Sequence, residues 1–105
     1  MNNTTLTFIG GGNMASSLIG GLIADGWDPA RIRVADTSTQ RLQQLAEQFP
    51  IITTTSNSDA ADHANVIVLA VKPQIIKSVA LELADIVSQQ QSLVISIAEI
   101  GRAHV

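Results

Sequence analysis

Three small residues at fixed spacing carry the first chemical signal in this chain. Gly10-Gly11-Gly12-Asn13-Met14-Ala15 fits the pattern G-x-G-x-x-A. In that pattern the first glycine permits a tight turn out of a strand. The second lacks a Cβ, so a pyrophosphate can approach the backbone. The third small residue lets a helix pack close to a sheet. A helix that starts there points its free N–H groups and the positive end of its dipole at the phosphates. The same fingerprint expects an acidic residue ~20 residues on, at the end of the second strand, to accept from ribose hydroxyls. Asp36 lies 24 residues after Gly12. It reads either as that acceptor or as a cap for a helix beginning near Thr39. Taken alone, its charge favours NAD over NADP. Arg41 stands close enough to meet a 2′-phosphate instead, so the choice between the two cofactors stays open.

These residues need elements to hold them. Leu6-Thr7-Phe8-Ile9 is a short apolar run that stops at the glycines, as a buried first strand does. Met14, Leu18, Ile19, Leu22 and Ile23 then recur at helical spacing, with one face expected to turn inward. Gly26 stands where a helix C-terminal glycine belongs. Ile32-Arg33-Val34-Ala35 is expected as the second strand. Leu42, Leu45, Ala46 and Phe49 mark a second helix that Pro50 ends. Ile51-Ile52-Thr53 reads as a third strand. Residues 58–64 read as a brief helix capped by Ser58 or Asn57. Val66-Ile67-Val68-Leu69-Ala70 is apolar throughout, as a parallel strand covered on both faces is. Ile75, Ile76, Val79, Ala80, Leu83, Ile86 and Val87 form a long helical stripe. Leu93-Val94-Ile95-Ser96-Ile97 is the fifth strand. Strict β-α alternation predicts an α/β fold, a Rossmann-type doubly wound parallel sheet.

In such sheets ligands sit beyond the carboxyl ends of the strands, near the point where strand order reverses. Ala70-Val71-Lys72-Pro73 ends the fourth strand, which should neighbour the first across that point. Lys72 therefore reads as a group near the nicotinamide end of a dinucleotide, or equally as a solvated lysine. Pro73 fixes the turn and removes one N–H.

Composition narrows the function classes. Charged residues are 14% of the 105-residue chain and hydrophobic residues 46%, against about 25% charged in an ordinary domain. The formal net charge of −3 argues against wide nucleic-acid binding, which needs a basic stripe. No cysteine is present, which removes disulfides, thiolate catalysis and Cys-based zinc sites. No uncharged apolar run reaches the ~18 residues of a membrane helix. The first residues carry no basic side chain ahead of an apolar stretch, so no secretory signal is expected and a cytoplasmic location is. Asp59, Asp62 and His63 have a spacing that permits a metal, but no metal site is expected there. His63 reads as a solvated surface residue and Trp27 as a packing residue.

The order and spacing of the motifs resemble one family. Phe8-Ile9-Gly10-Gly11-Gly12-Asn13-Met14-Ala15, followed by Leu18-Ile19-Gly20-Gly21-Leu22, resembles the opening of pyrroline-5-carboxylate reductases. Val68-Leu69-Ala70-Val71-Lys72-Pro73-Gln74 resembles their second hallmark, and Val94-Ile95-Ser96-Ile97-Ala98 the strand before their third. The resemblance implies hydride transfer from NADPH or NADH to the C=N carbon of the cyclic imine Δ1-pyrroline-5-carboxylate, the last step of proline synthesis. It implies that Gly10, Gly12, Asn13 and Met14 hold the pyrophosphate region. Asp36 then falls near the adenosine ribose or its phosphate, and Asn57 reaches the cofactor. Ala70, Val71, Lys72 and Pro73 line the nicotinamide side. It assigns no catalytic residue to this half. Substrate groups and homo-oligomer contacts would lie in a helical C-terminal domain, before which this chain is expected to stop. The other readings are a related imine or β-hydroxyacid dehydrogenase, or a non-catalytic dinucleotide-binding module.

The likeness ends abruptly. Residues 1–98 read as the dinucleotide-binding domain and 99–105 as a tail outside the family pattern. From the end of the Glu99 codon, Ile100-Gly101-Arg102-Ala103-His104-Val105 can be written AG-ATC-GGA-AGA-GCA-CAC-GTC, the start of a widely used sequencing-library adapter. The expectation is that a reductase reading frame runs here into adapter sequence, so His104 has no catalytic role. The raw nucleotide read tests this. The isolated chain is expected to lack useful reductase activity.

Overall fold

The computed structural model describes residues 3–97. The tail at 99–105, including His104, lies outside them. Five strands and four helices alternate: β1 (Leu6–Ile9), α1 (Asn13–Ala24), β2 (Ile32–Ala35), α2 (Thr39–Gln48), β3 (Ile52–Thr54), α3 (Asn57–Ala61), β4 (Val66–Leu69), α4 (Pro73–Gln90) and β5 (Leu93–Ser96). The strands form one sheet in the order β3-β2-β1-β4-β5. Every neighbouring pair is parallel. This is the expected Rossmann-type arrangement, with β1 between β2 and β4. The chain leaves β1 on one side to build β2 and β3, then returns to place β4 on the other. A crevice must open where those two directions part.

The two faces of the sheet are covered by different helices. Leu6, Phe8, Ile32, Val34 and Val68 pack with Ala15 and Ile19 of α1 and Leu42 and Leu45 of α2. Ile9, Ala35, Ile67 and Leu69 pack on the other face, against Ala60 and Ala61 of α3 and Val79 and Leu83 of α4. Each fully buried large aliphatic or aromatic side chain contributes about 1.5–3 kcal/mol. Phe8, Ile9, Ile19, Ile67 and Leu83 are all below 2% exposed, so the two layers anchor the centre of the sheet most strongly.

Local chemistry fixes the helix positions. At the end of α1 the amide of Trp27 donates to the carbonyl of Leu22 (3.0 Å), and that of Gly26 donates to Ile23 (3.1 Å). Gly26 has φ +103°. This is the Schellman arrangement, and Trp27 packs with Leu22 against the core, as its expected packing role requires. The short helix α3 is tied to the sheet from below. Thr7 Oγ1 donates to the Ala60 carbonyl at 2.5 Å. Arg33 Nη1 donates to the carbonyls of Ala60 (3.1 Å) and Asp62 (2.6 Å). A cation at the carbonyl end of a helix satisfies acceptors that the helix leaves open.

Several boundaries differ from the sequence reading. A 3-10 turn at Pro29–Arg31, with Asp28 accepting from the Ala30 amide, precedes β2. Strand β3 starts at Ile52 rather than Ile51, and β4 and β5 each stop one residue early, at Leu69 and Ser96. Helix α3 is capped by Ser56, not by Ser58 or Asn57, because the Ser56 hydroxyl accepts from the Asp59 amide. The inward face of α1 is also narrower than its apolar pattern. Ala15 and Ile19 are buried, whereas Met14 and Leu18 are 36% and 42% exposed. On β5, Leu93, Val94 and Ile95 are 59%, 41% and 41% exposed, so both faces of that strand are only partly covered among the described residues. None of the helices among those residues is long and apolar enough to cross a membrane.

Candidate functional site

At the carboxyl ends of β1, β2 and β4 lies a cleft of about 330 Å³, within the usual size range of small-molecule pockets. Its lining brings together Gly10, Gly12, Met14, Asp36, Asn57, Ala70, Val71 and Lys72. Asn13 and Pro73 lie just outside this lining. Asn13 is the exposed first residue of α1. Pro73 is the first residue of α4. Among the described residues, Asp36 and Lys72 are the only charged side chains on the cleft wall.

The glycine turn is built from strand geometry. The Gly10 amide donates to the Ala35 carbonyl at 2.7 Å, and the Ala70 amide donates to Ile9 at 2.8 Å. These bonds draw the ends of β1, β2 and β4 together around the turn. Gly10 has φ +106°, and a Cβ there would overlap the Ala70 carbonyl oxygen. Both conformation and space therefore require glycine at this position.

Gly12 is different. Its backbone is extended (φ −76°, ψ −167°), a conformation open to any residue. A Cβ on Gly12 would meet nothing within 4 Å. Nothing among the described residues therefore explains why a side chain is missing. Gly12 is also the N-cap of α1, and no side chain caps that helix. The first intrahelical bond runs from Ser16 to the Gly12 carbonyl (2.9 Å). No side chain among the described residues caps the amides that open α1, and Gly12, Met14 and Ala15 at this start line the cleft. That combination of free donors, dipole and a missing Cβ suits a phosphate group. Ala15, fully buried, closes the pattern by packing the helix against the sheet.

Asp36 does not project a free carboxylate. Oδ2 accepts from the Gly11 amide at 2.7 Å, and Oδ1 accepts from the Ser38 amide at 2.9 Å. The expected alternative, a cap on α2, belongs to Ser38, whose hydroxyl accepts from the Arg41 amide at 3.1 Å. Arg41 sits in the first turn of α2 and is not part of the cleft lining. Asn57 opens α3, and its Nδ2 donates to Glu82 Oε1 of α4 at 3.0 Å. Its side-chain oxygen has no hydrogen-bond donor among the described residues.

Some parts of the site escape sequence reasoning. Thr37, Ile75, Val79 and Ile97 also line the cleft. Glu82 lies outside the lining and reaches it through its bond with Asn57. Gly11 occupies the variable position of the G-x-G pattern, and its amide is the donor to Asp36. The signals for Thr37 and Ile75 are their places directly after the second strand and the Lys72-Pro73 turn. Glu82 has no signal in spacing, because its contact joins two helices. Among the described residues no group of three or more His, Cys, Asp or Glu could hold a metal. His63 is exposed and pairs with Asp62 at 3.0 Å.

Known proteins resemble this arrangement. The family described as NADP oxidoreductase coenzyme F420-dependent matches residues 5–99. The chain is 44% identical over 98 residues to a pyrroline-5-carboxylate reductase of Pseudomonas aeruginosa, covering 93% of this chain and 36% of that protein. The structure of a pyrroline-5-carboxylate reductase from Coxiella burnetii matches with a TM-score of 0.88 and 49% identity, over 92% of this chain and 36% of that one. A Plasmodium falciparum pyrroline carboxylate reductase with NADP bound matches with a TM-score of 0.77 and 30% identity, over 93% and 34%. The chain therefore spans about a third of the length of these relatives.

Proposed function

The chain belongs to the family described as NADP oxidoreductase coenzyme F420-dependent, and from that premise we propose that it is the cofactor-binding portion of a pyrroline-5-carboxylate reductase. The observation that carries the dinucleotide part is Gly12, a glycine that neither backbone nor packing requires, at the uncapped start of α1. The observation that carries the reaction is the likeness to pyrroline-5-carboxylate reductases along nearly the whole described chain.

In this reading the free amides at the start of α1 hold the pyrophosphate, with Gly10 shaping the turn and Asn13 and Met14 on the opening helical turn. Asp36 lies on the adenosine side. Asn57 offers its side-chain oxygen to the cofactor, steadied by Glu82. Ala70, Val71, Lys72 and Pro73 border the nicotinamide side, where Lys72 adds a positive charge. The bound nicotinamide would supply the hydride. The chain's own contribution is to orient that ring at the mouth of the cleft and keep its apolar wall dry. NADPH is the favoured cofactor, supported by the family and by the relative with NADP bound. NADH remains the second candidate. Substrate binding, homo-oligomer assembly and a cytoplasmic location belong to the same proposal, and their support is the likeness to the longer reductases. So does the reading of residues 99–105 as a tail foreign to the family, supported by the codons in which it can be written as adapter sequence.

Titration of the purified chain with NADPH and NADH, followed by calorimetry, tests the first part. Saturable binding of at least one dinucleotide is expected, and binding of neither would overturn the reading of the cleft. The isolated chain is expected to show no turnover of the cyclic imine. Measurable turnover would contradict its being only the cofactor-binding portion.

A further inference from the structure

Asp36 joins the two loops that form the rim of the cleft. Through Oδ2 it holds the Gly11 amide in the turn after β1, and through Oδ1 the Ser38 amide at the start of α2. Its own amide donates to the Thr54 carbonyl at 3.2 Å, so its backbone is fixed from β3 as well. Both bonds to the carboxylate are charge-assisted and short, the stronger kind of hydrogen bond. The side chain also fits closely against the turn. A Cβ placed on Gly11 would lie 3.3 Å from Asp36 Oδ2 and 2.9 Å from Leu45 Cδ1.

We propose that Asp36 is a positioning residue that acts on a bound dinucleotide through Gly11. Its carboxylate locks the glycine turn so that the following amides meet the pyrophosphate, and it does so alike for NADH and NADPH. The proposal rests on the reading of the cleft as a dinucleotide site. It differs from the usual role of an acid at this position, which accepts from ribose hydroxyls and rejects a 2′-phosphate. A carboxylate can satisfy two amide donors at once. An asparagine can satisfy one and turns its own NH2 toward the other. Asp36→Asn therefore breaks one bond with little change in size.

The test compares both dinucleotides on the wild-type chain and on Asp36→Asn. The proposal expects affinity for NADH and NADPH to fall together, by about tenfold each, the size of one lost charge-assisted bond. Weaker NADH binding with unchanged or tighter NADPH binding would overturn it in favour of ribose selection. In the wild-type chain, a scalar coupling across the hydrogen bond between the Gly11 nitrogen and the Asp36 carboxyl carbon is expected by NMR. Its absence would also overturn the proposal. If Asp36→Asn fails to fold, an ester in place of the Gly11 amide removes the Gly11 bond itself and leaves Asp36 intact. The same joint loss of affinity is then expected, and unchanged affinity would overturn the proposal. If the wild-type chain binds neither dinucleotide while the coupling is present, the reading of the cleft fails and the role in binding falls with it. Normal wild-type binding with divergent shifts in the variant sinks the positioning role alone.

Discussion

Two kinds of helix start face the same end of the sheet. Helices α2 and α3 open on serines, Ser38 and Ser56, whose hydroxyls accept from the Arg41 and Asp59 amides. Helices α1 and α4 open on Gly12 and Lys72, neither with a side-chain cap. Gly12 and Lys72 line the cleft, whereas Ser38 and Ser56 do not. A cap satisfies one of the open amides of a helix and adds about 1 kcal/mol. Leaving that out costs stability unless another group takes the amides. Within α1 the missing cap coincides with a missing Cβ, which is why the difference points outward to a ligand. In α4 the start is set differently, since Pro73 removes one donor and fixes the backbone. The comparison can be broken at the turn, inverted at an open start, or weakened at a capped one.

The largest effect is expected at Gly10. In Gly10→Ala the new methyl must occupy the space of the Ala70 carbonyl and adopt φ near +106°. Left-handed strain alone costs about 1–3 kcal/mol, and the overlap with backbone adds to it. A domain of this size has roughly 5–15 kcal/mol in total. Urea denaturation should therefore show a loss of about 3 kcal/mol or more, and dinucleotide binding should disappear. A variant as stable as the wild type would mean that the turn is not held as described.

Inverting the comparison needs Gly12→Ser. Serine is a good N-cap and the Gly12 backbone is already extended, so α1 should gain a few tenths of a kcal/mol. The same side chain enters the empty space over the turn and competes for the open amides. Dinucleotide affinity should fall by roughly tenfold, a difference of about 1.4 kcal/mol. Calorimetry and denaturation on one sample read both. Gain of stability with unchanged affinity would show that the space over Gly12 is not where a phosphate sits.

Much of this architecture is legible in the chain before any coordinates. β1 and β2 fall at the residues their apolar runs mark, and the Gly10–Ala15 pattern meets Ala70–Lys72 in one cleft. Those features are local, or follow from β-α alternation. What escapes has a physical cause in each case. Ser56, Asn57 and Ser58 are all good caps side by side, so composition does not choose among them. Met14 and Leu18 share the helical spacing of Ile19 and Leu22, and only packing against the sheet reveals which stripe is inward. The β3 register shifts by one because Ile51 and Ile52 are the same residue type and the pairing of Ile52 with Arg33 decides. Asp36 was legible as a cofactor-side acid. Its bond to Gly11 was not, because nothing in spacing joins two loops 25 residues apart.

The smallest effects are expected where the helix starts are capped. Ser38→Ala removes an acceptor from the Arg41 amide but leaves the Ser38 amide free to bond Asp36. Ser56→Ala likewise frees the Asp59 amide. Each should cost about 1 kcal/mol in denaturation, and the matching glycine variants only a few tenths relative to serine. Neither hydroxyl lines the cleft, so affinity for NADPH should stay within about twofold, below 0.5 kcal/mol. The pair then separates two uses of a helix start. At Ser38 and Ser56 the side chain serves the fold and its loss is felt only in stability. At Gly12 the missing side chain serves a ligand, and supplying one is felt chiefly in binding. Loss of affinity in Ser38→Ala matching that in Gly12→Ser would erase this separation and make both helix starts part of one phosphate site.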